Sequence, residues 1–406
     1  MTTLSASRTV RILRPAGLRL GLLSGFFALT TPVLAAECGG DVGVFAAGIK
    51  AEAVGQGLSA RAADKTLRNA RIDRKVLSRD RAQGVFKQTF LQFSKRSVNS
   101  YRLKNGAGNM KKLRSVFARA ERDYGVPAPV ITAFWALETD FGAVQGDFNT
   151  VNALFTLAHD CRRPQLFRPQ LIAAIRMVEN GDLDPARTTG AWAGEIGQVQ
   201  MLPSDIVRFG IDGDGDNHVN LKTSSPDAIL TAAHFIQDLG WRPGEPWLQE
   251  VTVPGRLAWQ ETGLNRPKSV GEWAQLGVSA RNGQLPQRGM SASLVLPQGR
   301  KGPAFLVYPN FNIYLEWNQS LVYSMSAAYL ATRLAGAPRY NAGSPDQGLS
   351  DAQMKQLQTR LQNRGHDVGK VDGILGAKTR AAVQAEQQRL GMPADAWPTP
   401  DLLSRL

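Results

Sequence analysis

The sequence has few cysteines, few runs of β-branched residues and no internal repeat. Only two of its 406 residues are cysteine, so at most one disulfide can form within the chain. The scarcity of β-branched runs argues against a large sheet and favours a mainly helical protein. At this length the chain can hold two or three domains.

Acidic residues are absent before Glu37, while Arg8, Arg11, Arg14 and Arg19 lie in that segment. An uncharged stretch follows the arginines, "LGLLSGFFALTTPVLAA" at 20–36. It is short for a membrane span, which needs roughly 20 mostly apolar residues. Small residues end it, as at a signal-peptide cleavage site. We therefore expect residues 1–36 to be a cleaved signal peptide rather than an anchor. The mature protein would then be periplasmic, without an integral membrane segment.

The two cysteines, Cys38 and Cys161, both lie beyond the predicted cleavage site. In an oxidising compartment an even pair of cysteines favours a disulfide. The alternative is two unrelated buried thiols.

The chain divides by pattern into a large helical part and a small C-terminal unit. Helical periodicity covers residues 43–125 and recurs at 168–179, 226–239 and 320–334. The segments "EVTVPG", "ASLVLP" and "AFLVYPNF" between residues 250 and 311 indicate short strands. The fold class is therefore mainly α (α+β). Predicted boundaries follow the composition: signal peptide 1–36, catalytic domain 37–338, linker 339–347 and C-terminal domain 348–406.

The stretch "ITAFWALETDFG" at 131–142 places Glu138 at the end of an almost wholly apolar helix. Burial and the negative end of a helix dipole both raise the pKa of a carboxylic acid. A general acid needs a proton that it still holds near neutral pH. Glu138 is thus a candidate catalytic acid, with a buried structural carboxylate as the alternative.

Two further stretches carry residues suited to sugar binding. In "GAWAGEIGQVQMLPSD", Gly194 and Gly197 allow close approach or a positive φ, and Gln198 and Gln200 supply amides. "YLEWNQSLVY" adds aromatic faces and an amide, on which sugar rings can stack and hydrogen-bond. Its candidate residues are Trp317, Asn318 and Tyr323.

Together, "WALETDFG", "VNALFTLAHDCRR", "AWAGEIGQVQMLPSD" and "EWNQSLVY" resemble the lytic murein transglycosylase B family in order and spacing. The resemblance covers residues 40–336. It implies a lysozyme-like α-rich catalytic core with helical and small mixed subdomains. It also implies cleavage of the MurNAc–GlcNAc β-1,4 bond of peptidoglycan without water, which leaves a 1,6-anhydromuramoyl end. No cofactor is implied for the chemistry, and we expect a monomer.

The resemblance assigns the catalytic acid of the family to Glu138. This sequence departs from the family at Ala191, Met201 and Trp317, where serine, phenylalanine and tyrosine are common. The arginine pair is suited to carboxylates of the glycan or its stem peptide. The implied substrate-binding residues are Tyr101, Arg162, Arg163, Gln200, Met201, Phe235, Trp317, Asn318 and Tyr323.

A single carboxylate is consistent with a lyase, in which the substrate N-acetyl group stabilises the cation at C1 and Glu138 acts as acid and then base. A glycoside hydrolase normally needs two acids. Glu195 is the rival second acid; if it activated water, the protein would be a lysozyme-type muramidase.

The sequence "DGDGDNHVN" resembles the EF-hand-like calcium loop of some family members. It departs from the usual pattern because Asn217 replaces the turn glycine and Thr223 stands at position 12. The alternative is a solvated acidic turn. Expected ligands of a structural calcium are Asp212, Asp214, Asp216 and His218, closed by Asp227.

The C-terminal part resembles the small three-helix peptidoglycan-binding domain, through "VDGILGAKT" and core positions Leu357, Leu361, Val383 and Leu390. Such a domain would tether the enzyme to its polymer. A noncatalytic wall-binding protein is the competing class, and the intact Glu138 favours the enzyme. The net charge of +14 suits a polymer that bears carboxylates. Export and the lack of a recognisable nucleic-acid motif argue against nucleic acid as the partner.

Overall fold

A computed structural model describes residues 38–82 and 88–406, and most of them are helical. The predicted signal segment lies outside the described residues. Within the described part, no helix is long and apolar enough to cross a membrane. The helices are α1 Val42–Gly55, α2 Ala60–Leu67, α3 Arg74–Arg81, α4 Phe90–Ser97, α5 Ser100–Lys112, α6 Arg114–Tyr124, α7 Ala128–Thr139, α8 Thr150–His159, α9 Pro164–Asn180, α10 Pro203–Phe209, α11 Ser225–Asp238, α12 Val270–Gln275, α13 Phe311–Trp317, α14 Leu321–Leu334, α15 Asp351–Asn363, α16 Ala377–Arg389 and α17 Pro400–Arg405.

The strands form a two-stranded ribbon and one five-stranded sheet of order β4-β6-β7-β3-β5. All described pairings are antiparallel. The three strand segments predicted from the sequence are confirmed as β3, β6 and β7. The strands are β1 Phe148–Asn149, β2 Thr189–Gly190, β3 Leu248–Thr252, β4 Lys268–Ser269, β5 Ser279–Ala280, β6 Ser291–Val295 and β7 Ala304–Val307.

The chain forms two compact units. The first comprises, among described residues, 38–82 and 142–228. Its centre is the pair α8 and α9, against which α2, α3 and α10 pack. Cys38 and Cys161 form the predicted disulfide, with their Cα atoms 5.2 Å apart. The bond joins cysteines 123 residues apart, so the chain-entropy estimate of its stabilisation is about 5 kcal/mol, above the roughly 2–4 kcal/mol typical of disulfides.

The second unit comprises residues 88–141 and 229–406 among those described. Helix α14 packs on α7, α4 and α13. The sheet has its own core, centred on the fully buried Trp273 and on Leu294 and Leu306. The C-terminal helices α15, α16 and α17 surround a separate core in which Leu357, Leu361 and Val383 are fully buried.

The connecting segment, residues 335–350, is hydrogen-bonded along its length. The carbonyl of Arg339 accepts from Arg281 Nη1 at 2.9 Å, and the hydroxyl of Tyr340 lies 2.7 Å from Ser94 Oγ. Ser344 N donates to the carbonyl of Lys301 at 2.9 Å. The segment that the sequence predicts as a linker is therefore bound to the second unit.

The C-terminal helices are also docked on the sheet subdomain. Arg380 Nη2 donates to the carbonyl of Pro297 at 2.7 Å, and Gln384 Nε2 donates to the carbonyls of Trp259 and Thr262 at 3.2 and 3.1 Å. Burial lowers the pKa of Arg380 to about 10, so its guanidinium remains charged at neutral pH. These bonds fix the predicted peptidoglycan-binding domain in place.

Candidate active site

Helix α7 carries Glu138 in its last turn, as the sequence predicts. Its residues from Val130 to Leu137 are buried on all sides. The helix ends because Asp140 takes the left-handed conformation, with φ of 49°. Glu138 itself is partly exposed, in contrast to the residues before it. The fold thus holds one carboxylate rigidly at the edge of an apolar core.

Two side chains donate hydrogen bonds to the same oxygen of Glu138. Trp317 Nε1 and Tyr323 Oη each lie 2.7 Å from Glu138 Oε1. An indole N–H can only donate, so Oε1 must act as an acceptor. An oxygen that already accepts from two donors is the less favourable one to protonate, so the arrangement favours Oε2 as the oxygen that carries the proton of the acid form. The two hydrogen bonds hold the carboxyl group in one orientation.

The two donors come from consecutive helices joined by a tight turn. Trp317 ends α13 and Tyr323 lies in the first turn of α14, where Ser320 is the N-cap. Ser324 Oγ fixes the turn by donating to the carbonyls of Tyr314 and Asn318 at 2.9 and 2.7 Å. The spacing of "WNQSLVY" therefore brings both donors to one carboxylate.

The Trp317 ring is fully buried and stacks on Phe134, with centroids 4.2 Å apart. Its other face is bordered by Phe235, whose centroid lies 5.7 Å away. The sequence suggests a sugar-contacting role for Trp317 and Phe235. The structure places Trp317 in the core beside Glu138, to which its N–H donates; a role of Trp317 or Phe235 in substrate binding stays a prediction.

The other candidates of the second unit occupy different surroundings. Asn318 is 7% exposed, and its Oδ1 accepts from Ser320 N at 2.9 Å, so it caps the turn. Tyr101 projects from α5 and is 55% exposed. It is the most exposed of the predicted site aromatics, and it is therefore the one whose face is open to a ligand.

Sequence reasoning did not find the ion pair that fixes the turn after Glu138. Arg102 Nε lies 2.6 Å from Asp140 Oδ1, and the two side chains are only 14% and 29% exposed. Arg102 also donates to the carbonyl of Ser97 at 3.1 Å. Asp140 and Phe141 have φ of 49° and 63°, so the pair stabilises backbone that non-glycine residues rarely adopt. The sequence gives one indication of such a turn: the helix is followed by Asp140 and Phe141, and glycine comes only at residue 142.

The glycine-rich loop lies in the first unit, and its glycines are required. Gly194 and Gly197 have φ of 91° and 80°. A Cβ atom at Gly194 would lie 2.2 Å from a Leu154 methyl, and one at Gly197 would lie 2.4 Å from Leu221 Cβ. The predictions of positive φ and close approach are confirmed for both.

Gln200 also adopts a left-handed conformation, with φ of 49°. Its side-chain Nε2 donates to the carbonyls of Gln145 and Gly197 at 3.2 and 2.9 Å. These bonds fix the orientation of the amide. Met201 is fully buried and pairs with Ile196 through two backbone hydrogen bonds. Gln200 therefore presents an amide of fixed orientation, whereas Met201 is a core residue.

Glu195, the rival second acid, is 8% exposed, and its carbonyl accepts from Ala191 N at 2.9 Å. It belongs to the first unit with Gln200 and Met201, whereas Glu138 belongs to the second. Roles of the three in catalysis or substrate binding stay predictions.

Arg162 and Arg163 both form ion pairs with Asp80, whose side chain is 1% exposed. Arg162 Nη2 also donates to the carbonyl of Asp80 at 3.0 Å. A buried carboxylate needs such partners. The structure thus gives the arginine pair a structural task beside the disulfide, and a role in substrate binding stays a prediction.

The acidic loop brings part of the expected ligand set together. Carboxylate oxygens of Asp212, Asp214 and Asp227 lie within 4.8 Å of one another. Asp216 Oδ1 instead accepts from His218 N at 2.9 Å, and His218 Nδ1 lies 3.2 Å from Asp182 Oδ1. The structure thus separates Asp216 and His218 from the converging carboxylates of Asp212, Asp214 and Asp227.

The sequence model of the family described as "Transglycosylase SLT domain" matches residues 43–332. The chain belongs to this family. A second model, "Putative peptidoglycan binding domain", matches residues 350–406. The family assignment and the C-terminal domain predicted from the sequence are thereby confirmed.

Known relatives agree with this assignment. The chain is 27% identical over 247 residues to the membrane-bound lytic murein transglycosylase B of Escherichia coli, covering 61% of this chain and 67% of the relative. SltB3 of Pseudomonas aeruginosa, solved with NAG-anhNAM-pentapeptide, superimposes with a TM-score of 0.83 at 34% identity, over 90% of this chain and 99% of that one. Slt35 of Escherichia coli, solved with calcium, has a TM-score of 0.61 at 25% identity, over 74% and 96% of the chains.

Proposed function

We propose that this protein is a periplasmic lytic transglycosylase that cleaves the MurNAc–GlcNAc β-1,4 bond of peptidoglycan and acts as a monomer. The observation that supports this proposal best is the position of Glu138 at the end of a buried helix, where Trp317 and Tyr323 both donate hydrogen bonds to its Oε1. Family membership and the ligand of SltB3 supply the reaction class.

In the proposed mechanism the two oxygens of Glu138 have separate tasks. Oε1 is held by its two donors, so the carboxyl group cannot rotate freely. Oε2 carries the proton and gives it to the glycosidic oxygen as the bond to C1 of the muramoyl residue breaks. The N-acetyl group of that residue stabilises the cation at C1.

The second step regenerates the enzyme. The C6 hydroxyl of the same muramoyl residue forms a bond to C1 and releases its proton to Oε2 of Glu138. The proton donated in the first step is thus recovered, and no water is consumed. Glu138 serves as acid and then as base, which explains how one carboxylate suffices.

Digestion of purified sacculi in ¹⁸O-labelled water tests the reaction. We expect anhydromuramoyl ends that contain no label from the solvent, as measured by mass spectrometry of the products. A hydrolase would instead place ¹⁸O at C1 of a reducing muramic acid. Predominantly labelled reducing ends would contradict the proposal and would indicate a muramidase in which Glu195 activates water.

We further propose that the acidic loop binds a structural calcium ion. Asp212, Asp214 and Asp227 supply converging carboxylate oxygens, which are the ligands that calcium prefers. Two of them are already anchored: Asp212 accepts from Gly215 N at 2.6 Å, and Asp227 accepts from Asn220 N at 2.7 Å. The oxygens are therefore preorganised, and the calcium complex of Slt35 supports the choice of ion.

Millimolar calcium should raise the melting temperature of the wild type, because an ion that binds only the folded state stabilises it. Asp214→Ala should abolish this increase, because the exposed Asp214 acts only through the ion. Catalytic activity should persist in that variant. Differential scanning fluorimetry with and without EDTA makes the measurement, and an unchanged melting temperature in the wild type would favour a plain acidic turn.

A further inference from the structure

A groove of about 510 Å³ lies in the second unit, away from the Glu138 carboxylate. It is bordered by the turn between α6 and α7, by residues 241–249 and by residues 284–286. Neither the predicted site residues nor the residues of the proposed mechanism line it.

Apolar and aromatic surface dominates the groove. Trp241 and Trp247 lie with ring centroids 6.0 Å apart, beside Pro127 and Pro246. Both indole N–H groups are used inside the fold: Trp241 donates to the carbonyl of Gly125 at 2.9 Å, and Trp247 donates to α14 at 3.0 Å. Neither N–H is available to a ligand; the partly exposed Trp247 contributes ring surface to the groove, and Trp241, 5% exposed, forms the wall behind it.

The charged side chains among the residues that line the groove are both acids, Glu121 and Glu245. Glu245 Oε2 is buried without a hydrogen-bond donor, and the Arg242 guanidinium approaches it only to 3.7 Å. A buried acceptor without a donor is uncommon in a folded protein. In a chain with a net charge of +14, this local acidity selects a cationic ligand.

Aromatic faces beside carboxylates suit one chemical class in particular. A primary ammonium can interact with the face of an indole and donate to carboxylates at the same time. The lining amides, Gln249 and Gln284, can hydrogen-bond a peptide backbone. An ammonium on a short peptide therefore fits the groove better than a neutral sugar or an anion.

Helix α7 connects the groove to the proposed catalytic carboxylate. Pro127 precedes the helix and Glu138 lies in its last turn, so about 16 Å separates the two along the helix axis. Trp247 is bonded to α14, which also carries Tyr323. The groove therefore lies at a fixed distance from Glu138, and one peptidoglycan strand bound at Glu138 can also reach the groove.

We propose that this groove binds the ammonium-bearing side chain of an uncrosslinked stem peptide of peptidoglycan. The inference rests on the proposed function for the identity of the polymer. Its chemistry rests on the two acids and on the aromatic surface that line the groove. Crosslinking converts the ammonium into an amide, so the groove distinguishes free from crosslinked stems.

Calorimetric titration of the full chain with two synthetic peptides tests the proposal. One peptide is N-acetyl-L-Ala-γ-D-Glu-L-Lys-D-Ala-D-Ala, whose only ammonium is on the lysine side chain, and its twin carries a second acetyl group on that lysine amine. The wild type should bind the free amine at least about threefold more tightly, as expected for a partly exposed ion pair with a cation–π contact. The preference should vanish in the double variant Glu121→Gln, Glu245→Gln.

Two controls keep the outcome decisive. Asp64→Asn removes one negative charge from a side chain that pairs with Lys50 outside the groove, and it should keep the preference. Glu121→Gln alone alters only an exposed side chain, so it should fold normally and weaken the preference in part. Absence of any preference in the wild type, or its survival in the double variant, would overturn the proposal.

Peptide binding requires no turnover, so this experiment is independent of the ¹⁸O test. Competition by chitotetraose distinguishes a sugar subsite. If the tetrasaccharide displaced the free-amine peptide from the wild type but not from the double variant, the groove would be a sugar subsite and the proposal would be wrong. If it left the charge-dependent binding unchanged, the peptide assignment would be supported.

Discussion

Glu138→Gln should lower the turnover of purified sacculi at least about 100-fold, the lower range for the loss of a general acid–base group. Glutamine keeps the shape of the side chain and can still accept from Trp317 and Tyr323, but it has no proton to give to the leaving oxygen. Release of anhydromuropeptides, measured by chromatography, gives the rate. Sacculus binding in a pelleting assay should be unchanged.

Glu195→Gln is the control for Glu138→Gln, because it makes the same substitution at the rival acid. The anhydro product should remain whatever happens to the rate, because the mechanism assigns no chemical step to Glu195. Turnover of Glu138→Gln at the wild-type rate would remove Glu138 from the chemistry. A switch of Glu195→Gln to a different product would assign that residue a chemical step.

Removal of either donor to Glu138 Oε1 should lower turnover roughly tenfold or more, as expected for a lost hydrogen bond to a charged group. Tyr323→Phe removes the hydroxyl, and Trp317→Phe removes the N–H while retaining an aromatic ring against Phe134. The ionised carboxylate loses a donor in each case. The alkaline limb of the pH–rate profile should therefore move to higher pH, which a purely structural role would not cause.

Tyr314→Phe provides the control for these variants. Tyr314 stacks on Phe134 with centroids 4.9 Å apart, but its buried hydroxyl has no hydrogen-bond partner. Removing an unsatisfied buried hydroxyl should leave the free energy of unfolding equal or slightly higher. The pH profile should keep the wild-type shape; a shifted limb in Tyr314→Phe would show that any loss of packing moves it.

The features predicted correctly from the sequence are those encoded locally. The apolar run before Glu138 predicts a buried helix because nearly every position is hydrophobic, and α7 confirms it. The segments "EVTVPG", "ASLVLP" and "AFLVYPNF" predict short strands, and β3, β6 and β7 confirm them. The disulfide follows from the cysteine count together with expected export, and it is present.

The features that the sequence could not give depend on partners distant along the chain. Trp317 meets Glu138 across 179 residues, and Arg163 meets Asp80 across 83. Residue type alone suggests a ligand contact for an aromatic residue or an arginine pair. Only the fold shows that Trp317 donates to Glu138 and that the two arginines pair with a buried carboxylate.

The bound connecting segment changes how two-point attachment to a polymer works. A flexible tether loses conformational entropy each time both of its ends are engaged, and its reach varies with its length. In this chain the hydrogen bonds of residues 339–346 fix that distance when the protein folds. The C-terminal helices and the catalytic part are then held at one fixed distance from each other. If both parts bind one strand, as the proposed function implies, we expect them to accept only strands whose geometry matches that separation.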